Sequence, residues 1–187
     1  MKKTAAVILT LILVVCAAVS CGSKGGAGKT ASSIVPKEAQ DVVRKFSEGV
    51  MTGDGDGMML CMYPQDIFDA LKASGLMNDF YNALGTGSGG ELKKCELSDE
   101  AKISADACRG AQNYFNGYAQ MLEVKGVSYK VSDGYSAKMN ITTSENGKED
   151  GYSEDIVIVM VDGHGWMIIP MTAQDLESAA AGADAQG

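Results

Sequence analysis

Three regimes of hydrophobic patterning follow one another along the chain. The first is unbroken: Thr4 to Val19 carries no charge and is preceded by Lys2 and Lys3. At 16 residues this run is shorter than the roughly 20 residues a membrane-crossing helix requires. A basic start, a short apolar stretch and small residues at its end predict a secretory signal peptide over residues 1–20. The second regime is helical. Pro36 suits a first turn, and Ala39, Val42, Val43, Phe46 and Val50 recur at helical spacing until Gly53. Met58 to Tyr63 predicts a short apolar helix stopped by Pro64, and Ile67, Phe68 and Leu71 mark a further one ending at Gly75. Leu76 to Leu84 adds another turn or two, and Gly85 to Gly90 reads as a loop. A longer helix begins around Ser104, with Cys108, Ala111, Phe115, Tyr118 and Leu122 forming one stripe.

The third regime alternates. Ser128 to Asp133 predicts a strand with Tyr129 and Val131 on one face, and Asp133-Gly134 predicts a hairpin turn. Tyr135, Ala137, Met139 and Ile141 then alternate with Ser136, Lys138, Asn140 and Thr142, the pattern of a half-buried strand. Asn146-Gly147 predicts a second hairpin. Asp155 to Val161 is apolar on both faces, and Asp162-Gly163-His164-Gly165 turns into a last strand, Trp166 to Ile169, closed by Pro170. Helices first and a meander last give an α+β fold, with N-terminal helices packed on a curved antiparallel sheet of about four strands. Phe46, Phe68, Phe115, Met139, Ile156 and Ile158 form the expected core. The chain divides into the signal peptide (1–20), a Gly/Ser-rich flexible tether (21–33), a globular domain (34–175) and a disordered tail (176–187).

Charge narrows the function classes. The chain has 24 acidic and 16 basic residues, a formal charge of −8. Removing residues 1–20 takes Lys2 and Lys3 and no acid, which moves it to −10. Nucleic-acid binding is largely electrostatic attraction to phosphates, so that class is excluded.

Three candidate motifs dissolve on spacing. Gly28-Lys29-Thr30 resembles the end of a phosphate-binding loop, but Ser23 stands where the first glycine is required. Asp54-Gly55-Asp56-Gly57 resembles a calcium loop, but Met59 holds the sixth position, where an EF-hand needs glycine. The four residues read instead as a turn, with Asp56 as the cap of the next helix. The only histidine, His164, sits between glycines in a turn, a poor place for a positioned general base. No catalytic, metal or cofactor motif is present, so no residue is assigned to catalysis, metal or cofactor binding.

Ala18-Val19-Ser20-Cys21-Gly22 resembles the lipobox of bacterial lipoproteins. That resemblance implies cleavage before Cys21 and a diacylglyceryl group on its sulfur. Two acyl chains suffice for stable anchoring, so the expected location is a cell membrane, lipid-anchored on its extracytoplasmic face. With Cys16 removed and Cys21 lipidated, Cys61, Cys95 and Cys108 remain. At most one disulfide forms among them; Cys95–Cys108 is the nearest pair in sequence, and three buried free thiols are the alternative.

Three stretches resemble the nuclear transport factor 2-like (cystatin-like cone) superfamily, more narrowly its small bacterial lipoproteins of unknown function: Val42-Val43-Arg44-Lys45-Phe46 with Thr52-Gly53-Asp54, Ala137-Lys138-Met139-Asn140-Ile141-Thr142, and Val161-Asp162-Gly163-His164-Gly165-Trp166. The expected function is a non-catalytic ligand- or protein-binding module of the cell envelope. The alternative is a small cone-fold isomerase or hydrolase using a carboxylate/Tyr pocket. If Ile156 and Ile158 face the helices, then Val157, Val159 and Val161 face the other way. They are expected to form an interface with a homodimer partner or another envelope protein, unless the chain's own helices cover both faces.

Overall fold

The computed structural model describes residues 33–77, 81 and 91–184. The signal peptide, Cys21, most of the tether and the Gly85–Gly90 loop lie outside the described residues. Among the described residues no helix is long and apolar enough to cross a membrane. The elements run α1 (Lys37–Thr52), α2 (Gly55–Leu60), α3 (Gln65–Ala73), β1 (Glu91–Lys102), α4 (Ala105–Met121), β2 (Val131–Glu145), β3 (Lys148–Val161), β4 (Gly165–Ile169) and α5 (Ala173–Asp184). The strands form one antiparallel sheet in the order β1-β2-β3-β4. This is the α+β architecture the patterning predicts.

Both faces of that sheet are covered. Val35, just before helix α1, packs with Ala39 and Val43 of that helix on Met139, Ile141, Ile156, Ile158 and Ile168. Met58, Met59, Ile67, Leu71, Ala111, Phe115 and Leu176 pack on the opposite face against Val157, Val159, Val161, Met167 and Ile169. Val157, Val159 and Val161 are therefore fully buried within one chain. They form no surface on which a partner would dock, which corrects the interface expected there. Helices on both faces explain why β3 is apolar on both sides. Of the expected core, Phe68, Phe115, Met139, Ile156 and Ile158 are buried and Phe46 is half-buried.

Several local expectations change. The Asn146-Gly147 hairpin forms, with φ of 52° and 78° at its two residues and Glu145 paired to Lys148. Asp133-Gly134 does not turn; both lie inside β2, just after a register shift. Gly134 instead makes room for side chains packed over it. A Cβ there would sit 2.6 Å from the Ile103 Cδ1 and 3.1 Å from the Val159 Cγ1. Asp54, rather than Asp56, caps α2, its carboxylate accepting the Gly57 N–H at 2.9 Å. In α4 the buried line runs Ala107, Ala111, Phe115 and Ala119, while Cys108, Tyr118 and Leu122 are only half-buried. The expected tail is helical for most of its length: α5 docks on α4 through Leu176 and Ala180, both fully buried. Gly110 permits that approach, since a Cβ at 110 would lie 1.9 Å from the Leu176 carbonyl oxygen.

Candidate functional site

Strands β1, β2 and β3 run further than the helices that cover them. Beyond Val157 on β3, which pairs with Ser136 on β2, the face that carries α4 and α5 changes from apolar to polar. Ser98, Asn140 and Ser153 lie across the three strands on this face. The Asn140 side-chain amide donates to the Ser98 Oγ at 2.9 Å, and the Ser153 hydroxyl donates to the Asn140 Oδ1 at 2.7 Å. One register step nearer the helices stands Lys138. Its Nζ lies 3.8 Å from the Asp99 carboxylate and 4.0 Å from that of Asp155. Asp99 adopts φ of 52° within the β1 bulge that shifts register between Ser98 and Ala101. A bulge re-aims a side chain in this way.

The opposite wall comes from the start of α5. Thr172 and Asp175 close that helix end reciprocally: the Thr172 hydroxyl donates to the Asp175 Oδ2 at 2.7 Å, and the Asp175 N–H donates back to the Thr172 Oγ1 at 3.2 Å. Between the two walls is a solvent-open cleft of about 340 Å³, lined by Asp99, Ser136, Lys138, Asp155, Thr172 and Gln174 among others. One ammonium between two carboxylates leaves the cleft net negative. Exposed ion pairs at such distances contribute little stability, so these charges matter for what approaches them. On the other face of the same arm, Glu154 is half-buried, and burial followed by the neighbouring Asp155 raises its pKa above the usual glutamate value. Tyr152 beside it is exposed.

A second polar feature is internal. The hydroxyls of Tyr63 and Tyr114 are hydrogen-bonded at 2.8 Å, and the Tyr118 ring packs edge-on against both. Burial pushes the pKa of Tyr63 and of Tyr114 well up; Tyr114 and Tyr118 add to the rise at Tyr63, and Tyr118 adds to it at Tyr114, where the Tyr63 hydrogen bond works the other way. Nearby, Asn116 clamps the backbone of Tyr129 at both its N–H and its carbonyl. The Tyr129 hydroxyl is buried and has no hydrogen-bond partner among the described residues. Its pKa is raised by burial first and then by the Asp66 carboxylate, which faces it without reaching bonding geometry. The His164 ring stands edge-on to Tyr129, with centroids 5.3 Å apart, on an exposed turn.

The sequence-predicted sites are dispersed. Cys21 lies outside the described residues, and the three valines are core. Cys61, Cys95 and Cys108 are free thiols. Cys95 packs with the α1 side of the sheet and Cys108 with the other, so the sheet separates the pair expected to bond. Burial raises all three thiol pKa values, that of Cys61 to about 11. Among the described residues no group of three or more His, Cys, Asp or Glu side chains is placed to hold a metal ion. The cleft residues Asp99, Lys138, Asp155 and Gln174 escaped sequence reasoning. The only signal for them was the change from apolar to charged residues along β3. Comparison with family models, with characterised proteins and with solved structures finds no match to this chain.

Proposed function

We propose that this protein is a lipid-anchored extracytoplasmic lipoprotein whose α+β domain is a non-catalytic module binding a ligand or a protein of the cell envelope. The anchor reading is supported by the Lys2-Lys3 start, the apolar run and the Ser20-Cys21 order. The Gly/Ser-rich tether after Cys21 would hold the domain away from the membrane. One observation carries the binding reading. The sheet is packed on both faces over one half and extends bare and charged over the other, with an open cleft at the boundary. Three helices ahead of a four-stranded antiparallel sheet are what the cystatin-like resemblance leads one to expect, although α4 is inserted between β1 and β2 and α5 follows β4.

Mass spectrometry of the membrane fraction tests the anchor. The expected N-terminus is a diacylglyceryl-modified Cys21, and Cys21→Ala should release the protein or stall its processing. An unmodified, soluble chain beginning downstream of Cys21 overturns the assignment. The orphaned Tyr129 hydroxyl facing Asp66 favours a second reading, an acid–base pocket of an isomerase or hydrolase. A turnover screen on ketone and ester substrates, lost in Tyr129→Phe with the fold intact, would support that reading over the first.

A further inference from the structure

Strand β4 covers only part of β3. It pairs with Val157 to Val161 and leaves the β3 edge from Lys148 to Ile156 without a neighbouring strand among the described residues. Backbone groups alternate along an antiparallel strand: residues bonded to one neighbour point both N–H and C=O towards it, and the residues between them point away. The two-residue turn makes Glu145–Lys148 a bonded pair. Hence Glu149, Gly151, Ser153 and Asp155 present their N–H and C=O groups outward. The bond from the Thr143 hydroxyl to the Asp150 carbonyl, on the β2 side, fits this phase. The outward N–H of Gly151 is met only by the Asp150 carboxylate, at 2.9 Å.

An open edge of this length invites another strand, and its surroundings select which one. Glu149, Asp150, Glu154 and Asp155 outnumber the lone cation, Lys148. A second copy added antiparallel would set acid against acid, which is unfavourable across a strand pair. A strand continuing along the edge past Ile169 would pass the mouth of the Asp99–Lys138–Asp155 cleft, where Asp155 and Ile156 are lining residues. Its alternate side chains would enter that net-negative cleft on one face and meet Glu154 and exposed Tyr152 on the other. Among the described residues Glu154 has no cationic partner, so a basic side chain would relieve its unfavourable burial.

We propose that the open edge of β3, from Glu149 to Asp155, is a strand-addition site for an extended basic segment of another protein. Backbone bonds to the four outward-facing residues supply the affinity, and alternate side chains supply the specificity, as in other cases of β-augmentation. This rests on the binding-module reading but not on the anchor: an unlipidated Cys21 would refute anchoring and leave this site untouched.

Fluorescence anisotropy on the full-length protein, with three labelled peptides, tests it: alternating Lys-Val, alternating Glu-Val, and alternating Lys-Pro, which keeps the charge and removes the N–H groups needed for pairing. The Lys-Val peptide should bind at least about ten-fold more tightly than either control. It should also slow amide exchange at Gly151 and Ser153. Ser153→Pro removes an outward N–H and leaves the β2 ladder intact, a placement edge strands tolerate. It should weaken binding about ten-fold or more, and Asp155→Lys should weaken it in a salt-dependent way. Equal affinity for Lys-Pro, unaltered amide exchange, or a dimer of the protein that Ser153→Pro dissolves would each overturn the proposal. If Ser153→Pro fails to fold, the peptide comparison and the exchange measurement decide the matter alone.

Discussion

Replacing Gly110 with alanine should destabilise the domain, whereas the same change at Gly117, two turns further along α4, should stabilise it. Alanine is favoured over glycine inside a helix by up to about 1 kcal/mol. At Gly117 nothing lies within 4 Å of an added Cβ, so that gain should appear in full. At Gly110 the new Cβ would lie 1.9 Å from the Leu176 oxygen and 2.5 Å from its carbonyl carbon. Ordinary C···O approach is about 3.3 Å or more, so α5 must retreat by over 1 Å. Overpacking of this kind costs about 1–3 kcal/mol. Release of α5 sets the ceiling, since it would expose Leu176, whose burial contributes about 1.5–3 kcal/mol. After the helical gain of up to about 1 kcal/mol is subtracted, the expected loss is up to about 2 kcal/mol. For a domain of this size each kcal/mol moves the melting midpoint by about 2–4 °C. Thermal melts followed by circular dichroism give the signs, and amide exchange in residues 173–184 reports whether α5 loosens. A Gly110→Ala protein that melts higher, in step with Gly117→Ala, would show that α5 does not dock on α4 and would refute the packing described.

Val157→Lys with Val159→Lys places two charges in a closed core, so the double variant should fail to fold rather than change oligomeric state; a folded variant with a normal melt would contradict the burial. Alkylation of the native protein near pH 8 should modify Cys61 more slowly than Cys108, because Cys61 is buried and its pKa is pushed up to about 11. Faster reaction at Cys61, or a mass showing a Cys95–Cys108 bond, would contradict the thiol assignments. Tyr63 and Tyr114 have pKa values raised above the ordinary 10, so the fold favours their neutral forms. Their contribution is complete below pH 10 and is lost as pH climbs through the folded-state values. Melting midpoints should therefore fall more steeply above pH 10 than below it, and Tyr63→Phe should flatten that fall. An unchanged slope in the variant would place the alkaline sensitivity elsewhere.

The residues that declare themselves in the sequence are those whose neighbours are local. Helix α1 follows from the spacing of Ala39, Val43 and Phe46 and ends at Gly53, whose φ of 77° suits glycine. The Asn146-Gly147 turn follows from two residues that accept positive φ. The central part of β2 and the doubly apolar β3 follow from period-two patterning and its absence. Even the alternating expectation for Val157 and Val159 placed the side chains on the proper face; what covers that face was not written in the strand.

The remainder depended on contacts distant in sequence. β1 carries a bulge between Leu92 and Lys94 that sets Leu92 and Cys95 on one face at a spacing of three, and charged neighbours hide the alternation. Gly134 resembles a turn residue until Ile103 and Val159 are seen to crowd it. The Ala- and Gly-rich C-terminal segment reads as a tail because small residues carry little apolar surface; Gly110 on α4 gives it a close seat, and Leu176 and Ala180 fill that seat. Cys95 and Cys108 stand close in sequence yet on opposite sides of a sheet. The charged cleft follows the same logic. Asp99, Lys138, Asp155 and Gln174 are ordinary surface residues one by one, and only the pairing of three strands and the docking of α5 bring them together. Local backbone preference and hydrophobic period are properties of neighbouring residues, and the chain carries them openly. Facing surfaces, close approaches and shared clefts belong to pairs of elements, and those were settled only when the sheet acquired helices on both sides.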